Sequence, residues 1–368
     1  MLDLLSSPTL SVLLLLALVL CMTVILWMLR RMRLVNNLYK SLRNKSSVAL
    51  SESNSDLAQQ ELVLQLHKQL EDAQKISETF KKFVPNQFFE HFAKDGLESI
   101  ELGKADEDDV AILFCDIRGF TGLSEQMSPQ ELMNFLNSYF LRMNAPIHDN
   151  CGFIDKFIGD AILALFDHPG GSNADKARDA LKAASDMRVA LTLYNEHRAK
   201  CNYPPVNNGI GIHFGPVILG TVGSEDRMDS TVIGDTVNTA FRLESLAPKY
   251  HADIVVTAQT LDISGMRDSY PHRVLDWVRV KGKKQAIEVF EILEHLPDEE
   301  RIRKLSTAKL IEKGLALRIQ QRWDESIKCF QQALQIQPED KLVSHHLEHC
   351  YRMRSNQMPA DWDGAIKL

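Results

Sequence analysis

Two carboxylates and one amine stand out from apolar surroundings. Asp116 ends the run VAILFCD over residues 110–116, and Lys156 and Asp160 interrupt FIDKFIGDAILALF over residues 153–166. A continuous apolar run that closes on a carboxylate reads as a central strand whose C-terminal end faces a site. FIDKF and AILALF flank Ile158-Gly159-Asp160 as the arms of a β-hairpin. If strand 110–116 lies beside that hairpin, Asp116 and Asp160 meet at one sheet edge. Two hard oxygen ligands there suit Mg²⁺ or Mn²⁺ held jointly with a substrate phosphate. Asp is also an ordinary turn residue, so the pair by itself leaves a purely local role open.

The elements that must position these residues follow from capping and periodicity. SPQELMNFLNSYFLRM (128–143) begins with Ser128 as N-cap, Pro129 at the first helical position and Glu131 completing a capping box. A long helical pattern covers about 173–200, and GIGIHFG with VILGTVG (209–223) is expected to form a strand pair. GDTVNTAFRLESLA (234–247) reads as a helix starting after Gly234, and HRVLDWVRVKG with AIEVFEIL supplies the last strands over 272–293. Strand-helix-strand-strand-helix-strand order predicts an α+β fold of the ferredoxin-like, split βαβ type.

Four stretches then carry a resemblance. FCDIRGFT (114–121), KFIGDAILALF (156–166), GIHFGPVILGTVG (211–223) and TVIGDTVNTAFRLE (231–244) resemble, in order and spacing, the catalytic domain of the class III adenylyl/guanylyl cyclases. The likeness covers about 110–293, and the domain is placed at 106–295. It implies that Asp116 and Asp160 hold two ions, Mg²⁺ or Mn²⁺, in each active site, with a backbone carbonyl from Ile117. Asn238 and Arg242, four apart on one helix face, would orient the ribose and meet the charge that grows on the α-phosphate. A guanidinium suits the second task, because its fork matches phosphate oxygens and it keeps its charge.

Lys281, in VKGKK, matches the family lysine that grips the phosphates, although Lys283 or Lys284 could substitute in that turn. Lys156 and Thr231 fall at the base-selecting positions. A lysine has only donors and would leave the N–H groups of guanine unpaired at a buried edge, so ATP is favoured over GTP. The implied reaction converts ATP to 3′,5′-cyclic AMP and pyrophosphate. In the family the site is shared between two subunits, and a chain holding both halves implies a twofold homodimer. A guanylate or dual-specificity cyclase and a catalytically inactive scaffold are the rival readings. A diguanylate cyclase is disfavoured by the absence of a GGDEF or GGEEF stretch.

The remaining segments set the context. The uncharged run from Leu10 to Leu29 has the length to cross a hydrocarbon core of roughly 30 Å. Residues 1–9 carry only Asp3, whereas Arg30, Arg31 and Arg33 follow the run. The positive-inside rule therefore predicts a single-pass protein of the inner membrane with its catalytic domain in the cytoplasm. Residues 30–56 read as a basic segment and linker, and 57–92 as a signalling helix. Leu62, Leu66, Gln69, Ala73, Ile76, Phe80 and Phe83 along it have the spacing of a short coiled-coil seam; a lone amphipathic helix is the other reading. With Thr307 as position one, Gly314, Phe330, Ala333 and Pro338 fit one tetratricopeptide repeat within 300–356, followed by a tail at 357–368. A single repeat cannot bury its own face, so it is expected to pack on the catalytic domain or to bind a protein partner. A net charge of -7 gives no electrostatic argument for nucleic-acid binding, since tracking phosphates needs a basic face. Six scattered cysteines without CxxC spacing fit reduced thiols.

Overall fold

The computed structural model describes residues 56–81, 102–168, 170–224, 226–279, 285–355, 358 and 362–367. The expected anchor at 10–29, the basic segment and linker up to residue 55, the end of the signalling helix beyond 81 and Lys281 lie outside the described residues. Among the described residues no helix is long and apolar enough to cross a membrane. The chain divides into two compact units, Met1–Thr79 and Phe80–Leu368.

The first unit holds all but the last two residues of helix α1 (Asp56–Lys81). The expected seam residues Leu66 and Ile76 are exposed along it, as are Val63, Leu64 and Leu70.

The second unit is built on a sheet of nine strands among the described residues. In chain order it runs β1 (Ala105–Ile117), α2 (Phe120–Ser124), α3 (Pro129–Asp149), β2 (Phe153–Ile158), β3 (Ala161–Phe166), α4 (Asn173–Lys200), β4 (Asn208–Ser224), β5 (Arg227–Ile233), α5 (Asp235–Tyr250), β6 (Ile254–Thr257), α6 (Ala258–Ser264), β7 (His272–Arg279) and β8 (Ile287–Ile292). Helices α7 (Asp298–Ile319), α8 (Trp323–Ile336) and α9 (Lys341–Arg354) and the short strand β9 (Ile366–Lys367) complete it. The strand order is β2-β3-β1-β4-β6-β8-β7-β9, with β5 paired to β4. Its first half, β2-β3-β1-β4 with α3 and α4 as crossovers, is the expected split βαβ arrangement.

β1 explains why its sequence is apolar without alternation. Ala111, Leu113 and Cys115 join a core cluster that includes Tyr139, Met143 and Leu181, while Val110, Ile112 and Phe114 join a second that includes Leu163, Leu219 and Ala240. Both faces are covered, so every position must be apolar. The capping boxes at Ser128/Glu131 and Ser172/Asp175 are both formed, fixing where α3 and α4 begin.

One expectation is corrected. Residues 209–223 do not form two strands; β4 runs unbroken through Gly215-Pro216. β6 pairs with β4 at Ile210, Gly211 and Ile212, and β5 pairs with it only from Ile218 onward. Pro216 therefore stands where that edge of β4 has no neighbour, and its missing N–H interrupts no ladder. β5, β6, α6 and β9 were not legible from the pattern.

The repeat-like helices dock on the far end of the sheet. Gly314 of α7 lets Phe330 of α8 approach so closely that a Cβ there would lie 2.7 Å from the ring. Arg318 of α7 pairs with Asp276 of β7, and Arg273 of β7 donates to Asp340, the N-cap of α9, at 2.6 Å. The repeat thus packs on the catalytic domain, with Ile311, Leu315 and Phe330 in the same core cluster as the sheet residues Leu275 and Val278.

Candidate active site

β3 runs antiparallel to β1 with Cys115 opposite Ile162, so Asp116 and Asp160 emerge from adjacent strands just beyond that pair. Gly159 closes the hairpin with φ +65°, a left-handed conformation that glycine adopts without a Cβ clash. The two carboxylates come within hydrogen-bonding reach of each other. Burial, then the Asp160 carboxylate, pushes Asp116 up to about 6, while a hydrogen bond from the Ile117 amide favours its ionised form. Two carboxylates in contact cannot both ionise cheaply without a counter-cation. Their hard oxygens and partial exposure fit a Mg²⁺- or Mn²⁺-sized ion.

Helix α5 comes close to this edge because β4 carries no side chain at positions 209 and 211. Gly209 and Gly211 lie on one face of β4. A Cβ on Gly211 would sit 2.3 Å from the Ala240 carbonyl, and one on Gly209 would sit 2.7 Å from Oε1 of Glu244. The register of β1 and β4 puts Gly209 opposite Asp116, so Glu244 arrives beside the acidic pair. Burial, then the charge of Asp116, raises the Glu244 carboxyl to about 7, with the Arg118 guanidinium acting the other way. Sequence reasoning quoted Glu244 inside a motif and gave it no role. Its signal was the spacing to Arg242, which turns it off the exposed helix face and toward the sheet.

Asn238 and Arg242 occupy the outer face of α5, where Asn238 is exposed and its Nδ2 donates to the Gly234 carbonyl at 3.4 Å. Arg242 is partly buried one helical turn on.

Lys156 and Thr231 are brought together. The Lys156 ammonium donates to Thr231 Oγ1 at 3.5 Å and to the Ser230 carbonyl at 3.2 Å. Among the described residues no hydrogen bond or ion pair joins Lys156 or Thr231 to Asp116 or Asp160. A β-bulge between Ile154 and Lys156 explains the local geometry, because it leaves Asp155 without a cross-strand partner and re-aims the residues around it. Asp155 is buried, both its oxygens lack hydrogen-bond donors among the described residues, and burial pushes it up to about 6 against the Lys156 ammonium 3.6 Å away.

Residues 102–294, just over half of the chain, match the family described as the adenylate and guanylate cyclase catalytic domain, and residues 308–340 match the tetratricopeptide repeat. The chain is 45% identical over 223 residues to an adenylate cyclase of Anabaena cylindrica, covering 59% of this chain and 43% of that one. It is 34% identical over 282 residues to the terminal-differentiation-specific adenylate cyclase of Dictyostelium discoideum, covering 76% of this chain and 13% of that one. It therefore spans less than half the length of either relative. A solved bacterial light-regulated adenylyl cyclase superposes with a TM-score of 0.55 at 25% identity, covering 67% of this chain and 68% of that one. An acidic pair at the hairpin edge, a helix seated on glycines beside it and a family match spanning both make this chain a member of the class III adenylyl/guanylyl cyclase family.

Proposed function

We propose that the protein is an adenylate cyclase, converting ATP to 3′,5′-cyclic AMP and pyrophosphate. The observation that carries this reading is the Lys156–Thr231 contact, a donor and a hydroxyl held side by side at the two base-selecting positions. Lys156 would donate to a ring acceptor of adenine while Thr231 accepts from its exocyclic amine. Guanine presents N–H groups at that edge, which the ammonium leaves unpaired at a cost of about 1–3 kcal/mol each.

Asp116, Asp160 and the Ile117 carbonyl would hold two divalent ions. Bound there, Mg²⁺ or Mn²⁺ lowers the pKa of the ribose 3′-hydroxyl and neutralises the triphosphate. Asn238 positions the ribose so that its 3′-oxygen lies in line with the α-phosphorus. Arg242 stabilises the charge on the α-phosphate as the new O–P bond forms and pyrophosphate departs. Lys281 would hold the β- and γ-phosphates.

The family resemblance supports a homodimer in which each site takes its metal ligands from one subunit and its base-selecting residues from the other, because this chain carries both sets. Leu10–Leu29 would anchor each chain in the inner membrane, and the exposed seam of α1 would pair two chains on the cytoplasmic side.

Full-length protein supplied with Mn²⁺ and either ATP or GTP tests the reading. Cyclic AMP formation in marked preference to cyclic GMP is expected. Preference for GTP would transfer the assignment to guanylate cyclase, and no product with either nucleotide and either metal would end the enzymatic reading. Mixing inactive Asp116→Ala and Arg242→Ala chains should restore about a quarter of wild-type activity through heterodimers that each carry one intact site. No recovery would refute the shared site.

A further inference from the structure

At the opposite end of the β2–β3 hairpin stands a cluster that the cyclase reaction does not use. Cys151, which follows α3, His168, which follows β3, and Asp179, on α4, bring one ligand atom each within 4.8 Å of one another. We propose that Cys151, His168 and Asp179 form a binding site for a borderline transition ion such as Zn²⁺, with a fourth position open to solvent.

The spacing fits the ion. The Nδ1 atom of His168 lies 3.5 Å from Oδ2 of Asp179. Two ligand atoms at ~2.0–2.1 Å from a tetrahedral ion are about 3.4 Å apart, close to that value. Nδ1 is buried and has no hydrogen-bond partner among the described residues, so the short approach to Asp179 is not a conventional hydrogen bond. The ring is also oriented. A Cβ at Gly171 would lie 2.3 Å from Nε2 of His168, and the Gly171 amide donates to the His168 carbonyl at 3.1 Å. The Nε2 edge therefore rests on backbone while Nδ1 turns toward Asp179.

Cys151 adds an independent mark. It holds φ +58° at the C-terminal end of α3, a conformation that glycine or asparagine fills with less strain. It is a free thiol and exposed. Its strained backbone presents the sulfur to the His168–Asp179 pair, on a side that is exposed to solvent.

Ligand chemistry separates this site from the acidic one. A thiolate, an imidazole nitrogen and one carboxylate select Zn²⁺ or Co²⁺ over Mg²⁺. The six residues of β2, at ~3.3 Å each, set it roughly 20 Å from Asp160. A bound ion would pin the base of the hairpin to α4, the same hairpin whose tip carries Asp160.

The test is a Co²⁺ titration of the full chain in the Asp160→Ala background, which disables the acidic site. A thiolate-to-cobalt charge-transfer band at one ion per chain is expected. Zn²⁺ should displace the cobalt, and a thousandfold excess of Mg²⁺ should not. Cys151→Asn suits the left-handed backbone and removes the thiolate, so this variant should keep its fold and lose the band. His168→Gln and Asp179→Asn should each weaken binding at least about tenfold. Absence of the band, or its persistence in Cys151→Asn, would overturn the proposal.

Discussion

Asp276, Glu291 and Asp340, where the repeat meets the sheet, each meet a cation, whereas Asp116, Asp160 and Glu244, at the sheet edge, crowd one another. Burial by itself would raise the Asp276 carboxyl, yet the Arg318 guanidinium overrides it and holds the group below the usual carboxylate range. Tyr250 donates to the same carboxylate at 2.8 Å, and the Trp277 amide does so at 2.7 Å. Glu291 accepts from Arg273 at 2.7 Å and from Lys304 at 2.6 Å. At the sheet edge the direction reverses, and both Asp116 and Glu244 are held above their ordinary values. Acids of one chemical type thus divide by partnership. Those supplied with a cation by the chain join the repeat to the catalytic domain, whereas Asp116 and Asp160, with only Arg118 acting on the neighbouring Glu244, are poised to take a cation from outside.

The largest test of this contrast is on the paired side. Arg318→Ala leaves the Asp276 charge buried with its principal partner gone, and should cost ~3–5 kcal/mol in denaturant unfolding. Replacing both residues, as in Arg318→Met with Asp276→Leu, should recover most of that loss, because the charge goes with its partner. An Arg318→Ala protein as stable as wild type would break the comparison.

Asp160→Asn should act with the opposite signature. Catalytic turnover is expected to fall by ~10²–10³-fold, since several kcal/mol of charge stabilisation depend on the bound ion. Unfolding in chelator should show no loss of stability, because one of two repelling carboxylates has gone. Mn²⁺ should raise the melting temperature of wild type and not of the variant. Marked destabilisation in chelator would erase the distinction between the two regions.

The smallest effect is a pH dependence. Glu244 has a carboxyl near 7 in the folded protein against an ordinary value of 4.5. Between those values the folded chain binds more protons than the unfolded one. In chelator its contribution is therefore fully present below pH ~4.5 and is lost as pH rises through about 7. Asp116, held near 6, contributes with the same sign. Glu244→Gln should flatten the stability profile over that window, and an unchanged slope would remove Glu244 from the acidic cluster.

How far the sequence could be read depended on the range of the interaction. The hairpin, the Ser128 capping box and the doubly buried strand β1 were legible because each is written in a few consecutive residues. The continuity of β4 was not, since Pro216 breaks a strand or passes harmlessly according to which neighbours flank it. The bulge at Asp155 and the inward turn of Glu244 were hidden for the same reason. Asp155 carries no sign of its missing cross-strand partner, and Glu244 is placed by glycines at 209 and 211 on another element. Docking of the repeat on the sheet rests on pairs such as Arg318 with Asp276, 42 positions apart, which no local pattern links.

The sequence by itself determined which groups the protein possesses and which local elements carry them: carboxylates at a strand end and a hairpin tip, Asn238 and Arg242 on one helix face, a glycine-lined strand and a single repeat. Side-chain type and short-range periodicity are properties of the chain, and they survive in any fold that respects them. The tertiary structure alone decided the charge state and partner of each acid. Whether a carboxylate is neutralised by Arg318, raised by its neighbour at Asp160 or aligned with His168 and Cys151 depends on distance and burial, and these arise only when remote segments meet.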